Sequence, residues 1–211
     1  MIYQTRQQAA TLLAAKIKNE LSETKDLFVF SIPRGGVVVG AQLSRELHCP
    51  HDIVVTKKLR APQQEELAIG AIGLHQKSLY LDQNMVTSLG IDKEYLDQEI
   101  KNRQVEIKRR LQTYRGNKPQ VDLSHKTVIV TDDGVATGAT MISALREIKA
   151  RSPKKLIAAI PVIAQDTVSK IKQEGDQIIY LQSLSEFWAV GQWYEEFPQL
   201  DDQEVINILQ I

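Results

Sequence analysis

Two adjacent carboxylates, Asp132 and Asp133, close the apolar run Val128-Ile129-Val130-Thr131 and open a turn of small residues, Gly134-Val135-Ala136-Thr137-Gly138-Ala139-Thr140. The β-branched run is what a strand buried on both faces of a parallel sheet requires. Beyond the turn, Met141, Ala144, Leu145 and Ile148 recur at helical spacing, so the segment reads strand, loop, helix. Such a loop makes an anion site. Gly134 and Gly138 relieve the steric limits on a turn that aims several N–H groups one way, and the helix adds its positive end. Thr137 and Thr140 add hydroxyl donors. Two carboxylates repel a phosphate, so the ligand needs a second part that donates hydrogen bonds. A ribose diol fits, each acid accepting from one hydroxyl. The chemistry is that of a sugar phosphate, and the usual nucleotide fingerprints, G-x-x-x-x-G-K-S/T and G-x-G-x-x-G, do not occur.

Three further stretches carry chemistry. Arg34 stands in Pro33-Arg34-Gly35-Gly36, after the apolar strand Leu27 to Ile32 and before a helix with Val39, Leu43 and Leu47 on one face. A guanidinium beside two glycines and a helix start suits a diphosphate. After a strand from Asp52 to Lys57 the chain turns polar, Lys57 to Glu66, ahead of a glycine-broken hairpin over 67–81. A loop of that composition is where mobile lids occur. Lys57, Lys58 and Arg60 would screen a departing anion, and Glu65 or Glu66 would accept a proton. The third stretch runs from Phe187 to Phe197. Of the chain's twelve aromatic residues, five (Phe187, Trp188, Trp193, Tyr194 and Phe197) fall in those eleven positions. They suit stacking on a planar base or, equally, a lid packed on the sheet edge.

The stretch from Val128 to Thr140 resembles the phosphoribosyl pyrophosphate (PRPP) signature of type I phosphoribosyltransferases, in which a hydrophobic strand, two acids and a small-residue loop ending T-G-x-T follow one another. The resemblance implies that Asp132 and Asp133 hold the ribose 2- and 3-hydroxyls and that Gly134, Val135, Ala136, Thr137, Gly138, Ala139 and Thr140 cradle the 5-phosphate. Ser31-Ile32-Pro33-Arg34-Gly35-Gly36 resembles the pyrophosphate loop of the xanthine-guanine branch, which assigns Arg34, Gly35 and Gly36 to the leaving pyrophosphate and leads us to expect a cis peptide at Arg34-Gly35. The same resemblance puts the flexible catalytic loop at about 57–66, with Lys57, Glu65 and Glu66 as its catalytic residues. Val190-Gly191 to Phe197 resembles the hood of hypoxanthine-type enzymes, over about 183–200, which assigns Phe187, Trp188, Val190 and Trp193 to the base, with Trp188 or Phe187 stacking on it.

The overall layout is most similar to uncharacterised bacterial phosphoribosyltransferases with a P-R-G-G turn. The implied reaction is transfer of the 5-phosphoribosyl group of PRPP to a nitrogenous base or similar acceptor, with pyrophosphate released. Magnesium is implied as cofactor, ligated mostly by the substrate, with Asp132 and Asp133 reaching it through substrate or water. Two departures leave the acceptor open. Ala136 stands where hypoxanthine-type relatives have a carboxylate, and Pro161-Val162-Ile163 offers no lysine for an oxopurine carbonyl. A regulatory protein that keeps a PRPP pocket without catalysis is the alternative, and a hydrolase using Asp132 is a weaker one.

These residues need a scaffold. Strand and helix alternate along the chain, which predicts an α/β fold, a parallel sheet with helices on both faces, in one domain over residues 1–211; the resemblance implies that this is the type I phosphoribosyltransferase fold with a small C-terminal hood. Ligands in such sheets bind beyond the carboxyl ends of the strands. Helices are expected over about 5–21, 93–114 and 163–173, and strands over 155–160 and 177–181. The long helix carries Leu96, Ile100, Ile107, Leu111 and Tyr114 on one stripe and is expected to protrude, cap the site or pair with a second subunit as a homodimer. Its Arg103, Arg109, Arg110 and Arg115 could reach a phosphate, but a solvated face is the favoured reading. Asp201 with Glu204 marks a last helix start.

Lysine plus arginine number 26 and aspartate plus glutamate 26, so no global field recruits nucleic acid or membrane. A small-molecule acceptor, with no nucleic acid and no membrane, is the expected partner of PRPP. Without a membrane-length apolar run or a signal-peptide pattern, a cytoplasmic location is expected. Cys49 is the one cysteine, which excludes an internal disulfide and reads as a packing residue. His48, His51, His75 and His125 lack ligand spacing and read as surface or loop residues.

Overall fold

The computed structural model describes residues 1–210, and at position 65 the backbone alone. Helix α1 (Arg6–Glu20) starts where the Thr5 side chain accepts from the Gln8 N–H, and it buries Ala9, Leu13 and Ile17. Strand β1 (Leu27–Ser31), helix α2 (Gly36–Leu47) and the short β2 (His51–Ile53) follow. The chain then builds a separate layer from β3 (Lys57–Ala61), β4 (Gln64–Ile72), β5 (Tyr80–Leu81), α3 (Gln83–Ser88) and α4 (Lys93–Arg115). It returns through β6 (Thr127–Thr131), α5 (Ala139–Lys149), β7 (Lys155–Ala164), α6 (Gln165–Lys172) and β8 (Gln177–Leu184). The aromatic segment and α7 (Asp202–Leu209) end it, and the predicted start of α7 is a full capping box between Asp201 and Glu204.

The first layer is the expected parallel sheet, in the order β2-β1-β6-β7-β8. Alternation along each strand feeds two cores. Val128 and Val130 pack with Met141 and Leu145 of α5, whereas Ile129 packs on the other face with Leu13, Ile17 and Leu43 of α1 and α2. The order of strands across the sheet reverses between β1 and β6, whose register pairs Ser31 with Thr131. A crevice opens beyond the carboxyl ends at such a switch point. The residues that come next on the two strands are Pro33-Arg34-Gly35-Gly36 and Asp132-Asp133, so topology alone sets the two motifs side by side.

Several expectations need correction. Residues 57–66 are no loop: they form the start of an antiparallel hairpin, β3 against β4, in the three-stranded sheet β3-β4-β5. Leu59 and Ala61 alternate inward while Lys58 faces out, which is a strand pattern hidden by its charge. The predicted strand over 52–57 is therefore split, its end at Lys57 belonging to the second sheet. β7 runs to Ala164, past Pro161, and α6 starts later than expected. The missing N–H of Pro161 is tolerated because β6 has ended, its last partner being Ala159. β8 likewise continues to Leu184, paired with that extension. The cis peptide lies at Pro33-Arg34, one bond earlier than expected.

The apolar stripe of α4 neither protrudes nor stays open. Ile100, Ile107 and Tyr114 pack with Leu59, Ile69 and Ile72 of the antiparallel sheet and with Val205 of α7. His51 is also no surface residue. It lies in β2 with Nε2 2.7 Å from Ser31 Oγ, and burial pushes its pKa down to about 4. Cys49 is buried as expected, with its thiol pushed up to about 11 by burial. Among the described residues no helix is long and apolar enough to cross a membrane.

Candidate active site

At the switch point the acid pair and the arginine turn are in direct contact. A Cβ on Gly35 would stand 1.9 Å from Asp133 Oδ2, and one on Gly36 would stand 2.8 Å from Asp132 Oδ1. Only glycine lets this turn lie on two carboxylates. The two acids differ. Asp133 is buried and faces inward, where Arg6 Nε donates to its Oδ2 at 2.7 Å. Arg6 also donates from Nη1 to Pro198 O and lies 3.7 Å over the Phe197 ring. Tyr194 Oη donates to the Asp133 carbonyl at 2.5 Å. Asp132 is half-buried, and its Oδ1 accepts the Asp133 N–H at 2.9 Å. Burial, then the Asp133 charge, raises the Asp132 pKa well above the usual carboxylate range. Burial also raises that of Asp133, against the pull of Arg6.

The small-residue turn divides in the same way. The Val135 N–H donates to Val162 O and the Val135 carbonyl accepts from Ala164, which ties this residue into the sheet. Val135 thus has no N–H left for a phosphate, and Gly134 lies beneath Val190 and against Val162. Gly138, at φ +83°, aims the chain into α5, where Ile142 is the residue whose N–H reaches back to the Gly138 carbonyl. The N–H groups of Ala139, Thr140 and Met141 precede any intrahelical acceptor, and they form the donor end of that helix. Thr137 is exposed and Thr140 half-buried.

Two cavities flank this centre. One, about 290 Å³, lies between Pro33, Thr140 and the hairpin residues Lys57, Lys58 and Arg60. Glu66 lines it too, which puts this predicted base on the cationic side of the site; the Glu65 side chain lies outside the described residues. The same cavity is walled by Arg103 and Arg110 of α4, which the sequence reading assigns to solvent. Their spacing holds a signal. Ile100, Arg103, Ile107, Arg110 and Tyr114 share one helical face, so these arginines interrupt a buried stripe. Arg6 carries the same signal, three residues before Ala9 on the buried face of α1. Lys57 Nζ donates to Glu106, and burial lowers its pKa against that partner. Arg34 is 41% exposed, with Nη1 3.9 Å from Asp202 Oδ1, which in turn accepts from Tyr114 Oη at 2.5 Å.

The second cavity, about 550 Å³, is lined by Ala136 and Thr137, by Gln165 and Asp166 at the start of α6, and by Ser185 and Phe187. Of the residues assigned to a base, Phe187 therefore faces a cavity, and Trp193 lies 6.2 Å from its ring. Trp188 is 87% exposed and not among the residues lining that cavity. Val190 packs on Gly134 as a roof.

A model of the phosphoribosyl transferase domain matches residues 1–193. The chain belongs to that family. Two Mycobacterium tuberculosis proteins, provisionally named phosphoribosyl transferases, are each 33% identical to it over 185 residues, 88% of this chain and 42% of theirs. The chain thus spans less than half the length of these curated relatives. Among solved structures, TT1426 from Thermus thermophilus superposes with a TM-score of 0.81 at 31% identity, covering 99% of this chain and 98% of that one. A purine phosphoribosyltransferase from Pyrococcus horikoshii shares the fold, with a TM-score of 0.50 at 17% identity over 95% of this chain and 97% of its own. As a phosphoribosyl transferase domain the chain has the five-stranded parallel sheet, the acid pair and the small-residue loop at one switch point.

Proposed function

We propose that this chain transfers the 5-phosphoribosyl group of PRPP to a nitrogenous base or similar acceptor and releases pyrophosphate. The observation that carries the reading is the contact between the glycines of the arginine turn and the acid pair, because it sets the residues proposed for the sugar directly beside those proposed for the diphosphate. Asp132 would accept from the ribose hydroxyls, while Asp133, held by Arg6, sets where Asp132 stands. The N–H groups at the start of α5, with Thr137 and Thr140, would hold the 5-phosphate. Arg34 and the lysines of β3 would face the diphosphate as its charge grows in the transition state. Phe187 would lie against the acceptor, with Val190 and Trp193 excluding water.

Magnesium fits this arrangement as a substrate-borne ion. Asp132 is a hard oxygen donor beside the crevice, and among the described residues no group of three or more His, Cys, Asp or Glu could hold a metal alone. The chemistry it supplies when bound is neutralisation of the leaving diphosphate.

A panel of purines, pyrimidines, nicotinate and amines, assayed for pyrophosphate release from PRPP with magnesium, tests the proposal. Turnover with one acceptor is the expected result. PRPP binding without turnover on any acceptor would move the reading to a regulatory PRPP sensor, and absence of PRPP binding would remove it.

A further inference from the structure

Helix α4 reaches the site from outside the parallel sheet. Ile100 and Ile107 seat it on the antiparallel layer. Arg103 and Arg110, seven residues apart on the same stripe, then come to the cavity shared with Pro33 and Thr140. Between them Glu106 accepts from Lys57 Nζ and, at 3.2 Å, from Arg103 Nη1, and it stands 3.8 Å from Arg110 Nε. Arg103 is also held by Glu99 at 2.7 Å. Arg110 Nε is buried without a hydrogen-bond partner.

A network whose only task was to fasten α4 to β3 would match its charges. This one does not. Among the described residues, Lys57, Lys58, Arg60, Arg103 and Arg110 face Glu66, Glu99 and Glu106. The excess is positive, it surrounds a space of about 290 Å³, and one guanidinium N–H in it lacks an acceptor. A multiply charged oxyanion meets all three conditions, since guanidinium groups bind phosphoryl oxygens in pairs.

We propose that Arg103 and Arg110 form the outer wall of the diphosphate site, and that Glu106 is a place-holding counter-ion which the diphosphate displaces. This rests on the PRPP reading given above. It adds to the parallel-sheet motifs a second binding surface, supplied by the inserted layer.

The test is calorimetric titration of the full chain with inorganic pyrophosphate and magnesium and, separately, with ribose 5-phosphate, which reports the acid pair and the α5 loop alone. Arg103→Gln and Arg110→Gln should each weaken pyrophosphate binding about ten-fold or more and leave ribose 5-phosphate binding unchanged. Glu106→Gln should tighten pyrophosphate binding, because the competing charge is gone while the side-chain shape stays; a fastening role predicts a lower melting temperature and no such gain. Should a glutamine variant fail to fold, Arg110→Lys and Arg103→Lys keep the charge and lose the paired geometry, with an intermediate loss expected. Pyrophosphate affinity equal to that of the unaltered chain in the arginine variants overturns the inference. So does binding of ribose 5-phosphate, but not pyrophosphate, to the unaltered chain. If neither ligand binds it, the PRPP reading itself falls.

Discussion

The two ends of the crevice are built on opposite principles. At the end proposed for the sugar, Arg6, Asp133, Tyr194 and Gly35 are packed without space between them, each of their polar groups named here has an internal partner, and the ion pair is nearly dry. At the end proposed for the diphosphate, long cationic side chains from β3 and α4 stand around open volume, with fewer carboxylates than cations among the described residues. Buried, matched groups fix geometry, because any displacement leaves a charge unpaired in a low dielectric. Exposed, unmatched cations attract an anion and adapt to it. Under the proposed function, the contrast is a division of labour in which a rigid wall positions the sugar and an adaptable one receives the leaving group.

That contrast predicts where substitution costs stability and where it costs binding. The largest effect should come from Arg6→Met, which leaves the buried Asp133 carboxyl without its cation and hydrogen-bond donor. About 3–5 kcal/mol of stability should be lost, measurable as a shift in the denaturant midpoint. The double variant Arg6→Met with Asp133→Asn should recover most of it, since no orphaned charge remains. If the single variant proves as stable as the unaltered chain, the rigid-wall description of the sugar end is wrong. Gly35→Ala comes next. Its Cβ would meet Asp133 Oδ2 at 1.9 Å, so either the turn or the ion pair must shift. A loss of about 1–3 kcal/mol is expected, with ribose 5-phosphate affinity falling alongside it.

The same contrast explains what was legible in the sequence. The sugar end is written locally: strand, two acids, glycine turn and helix stand within one stretch of chain, and local spacing shows what they do together. The parallel sheet followed from the alternation of strands and helices, and its switch point brought the Gly35-Gly36 turn onto Asp132 and Asp133 without any further information. The diphosphate end is assembled from segments distant in the chain, so charge alone was visible. Lys57 to Ala61 read as a lid because four of the six residues from Lys57 to Pro62 are polar or proline, although Leu59 and Ala61 already alternate inward. Arg103 and Arg110 read as solvated because a cation on a charged helix is ordinary. Only their place on the stripe of Ile100 and Ile107 marked them, and that mark gains meaning once the stripe has a partner. Trp188 failed for another reason: aromatic clustering locates a hood but does not say which ring turns inward.

Asp132 sharpens the comparison, because it belongs to the rigid end and yet has no cation of its own. Burial and the Asp133 charge raise its pKa in the folded chain, so the folded state keeps the proton to higher pH than the unfolded one. Stability is then fully present below the unfolded value of about 3.9 and is lost as pH rises through the folded value. Asp132→Asn removes that loss. The variant should be more stable by about 1 kcal/mol at neutral pH, and the gap should narrow as acidification carries the pH down through the raised folded value. Ribose 5-phosphate binding should weaken at the same time, a trade of function against stability at one residue. A gap that does not change with pH would show that Asp132 ionises freely and that the crevice is wetter than described.

The smallest effect on stability should be found at the other end. Lys58 lines the cation cavity but is exposed, on the outward face of β3. No carboxylate holds it in the hydrogen bonds and ion pairs among the described residues, so Lys58→Gln should leave the melting temperature where it was, within about 0.5 kcal/mol of stability. Its contribution is to the field at the cavity mouth. Pyrophosphate should bind a few-fold more weakly to the variant at low ionic strength, and the difference should shrink as salt approaches the point where the screening length, about 8 Å at physiological strength, is shorter than the path from Lys58 to the anion. The salt dependence separates this residue from Arg103 and Arg110, whose contacts are close and partly buried and should persist in salt. If Lys58→Gln instead lowers stability while leaving salt-dependent binding intact, the hairpin is a structural element and the open end of the crevice is not a receiving surface.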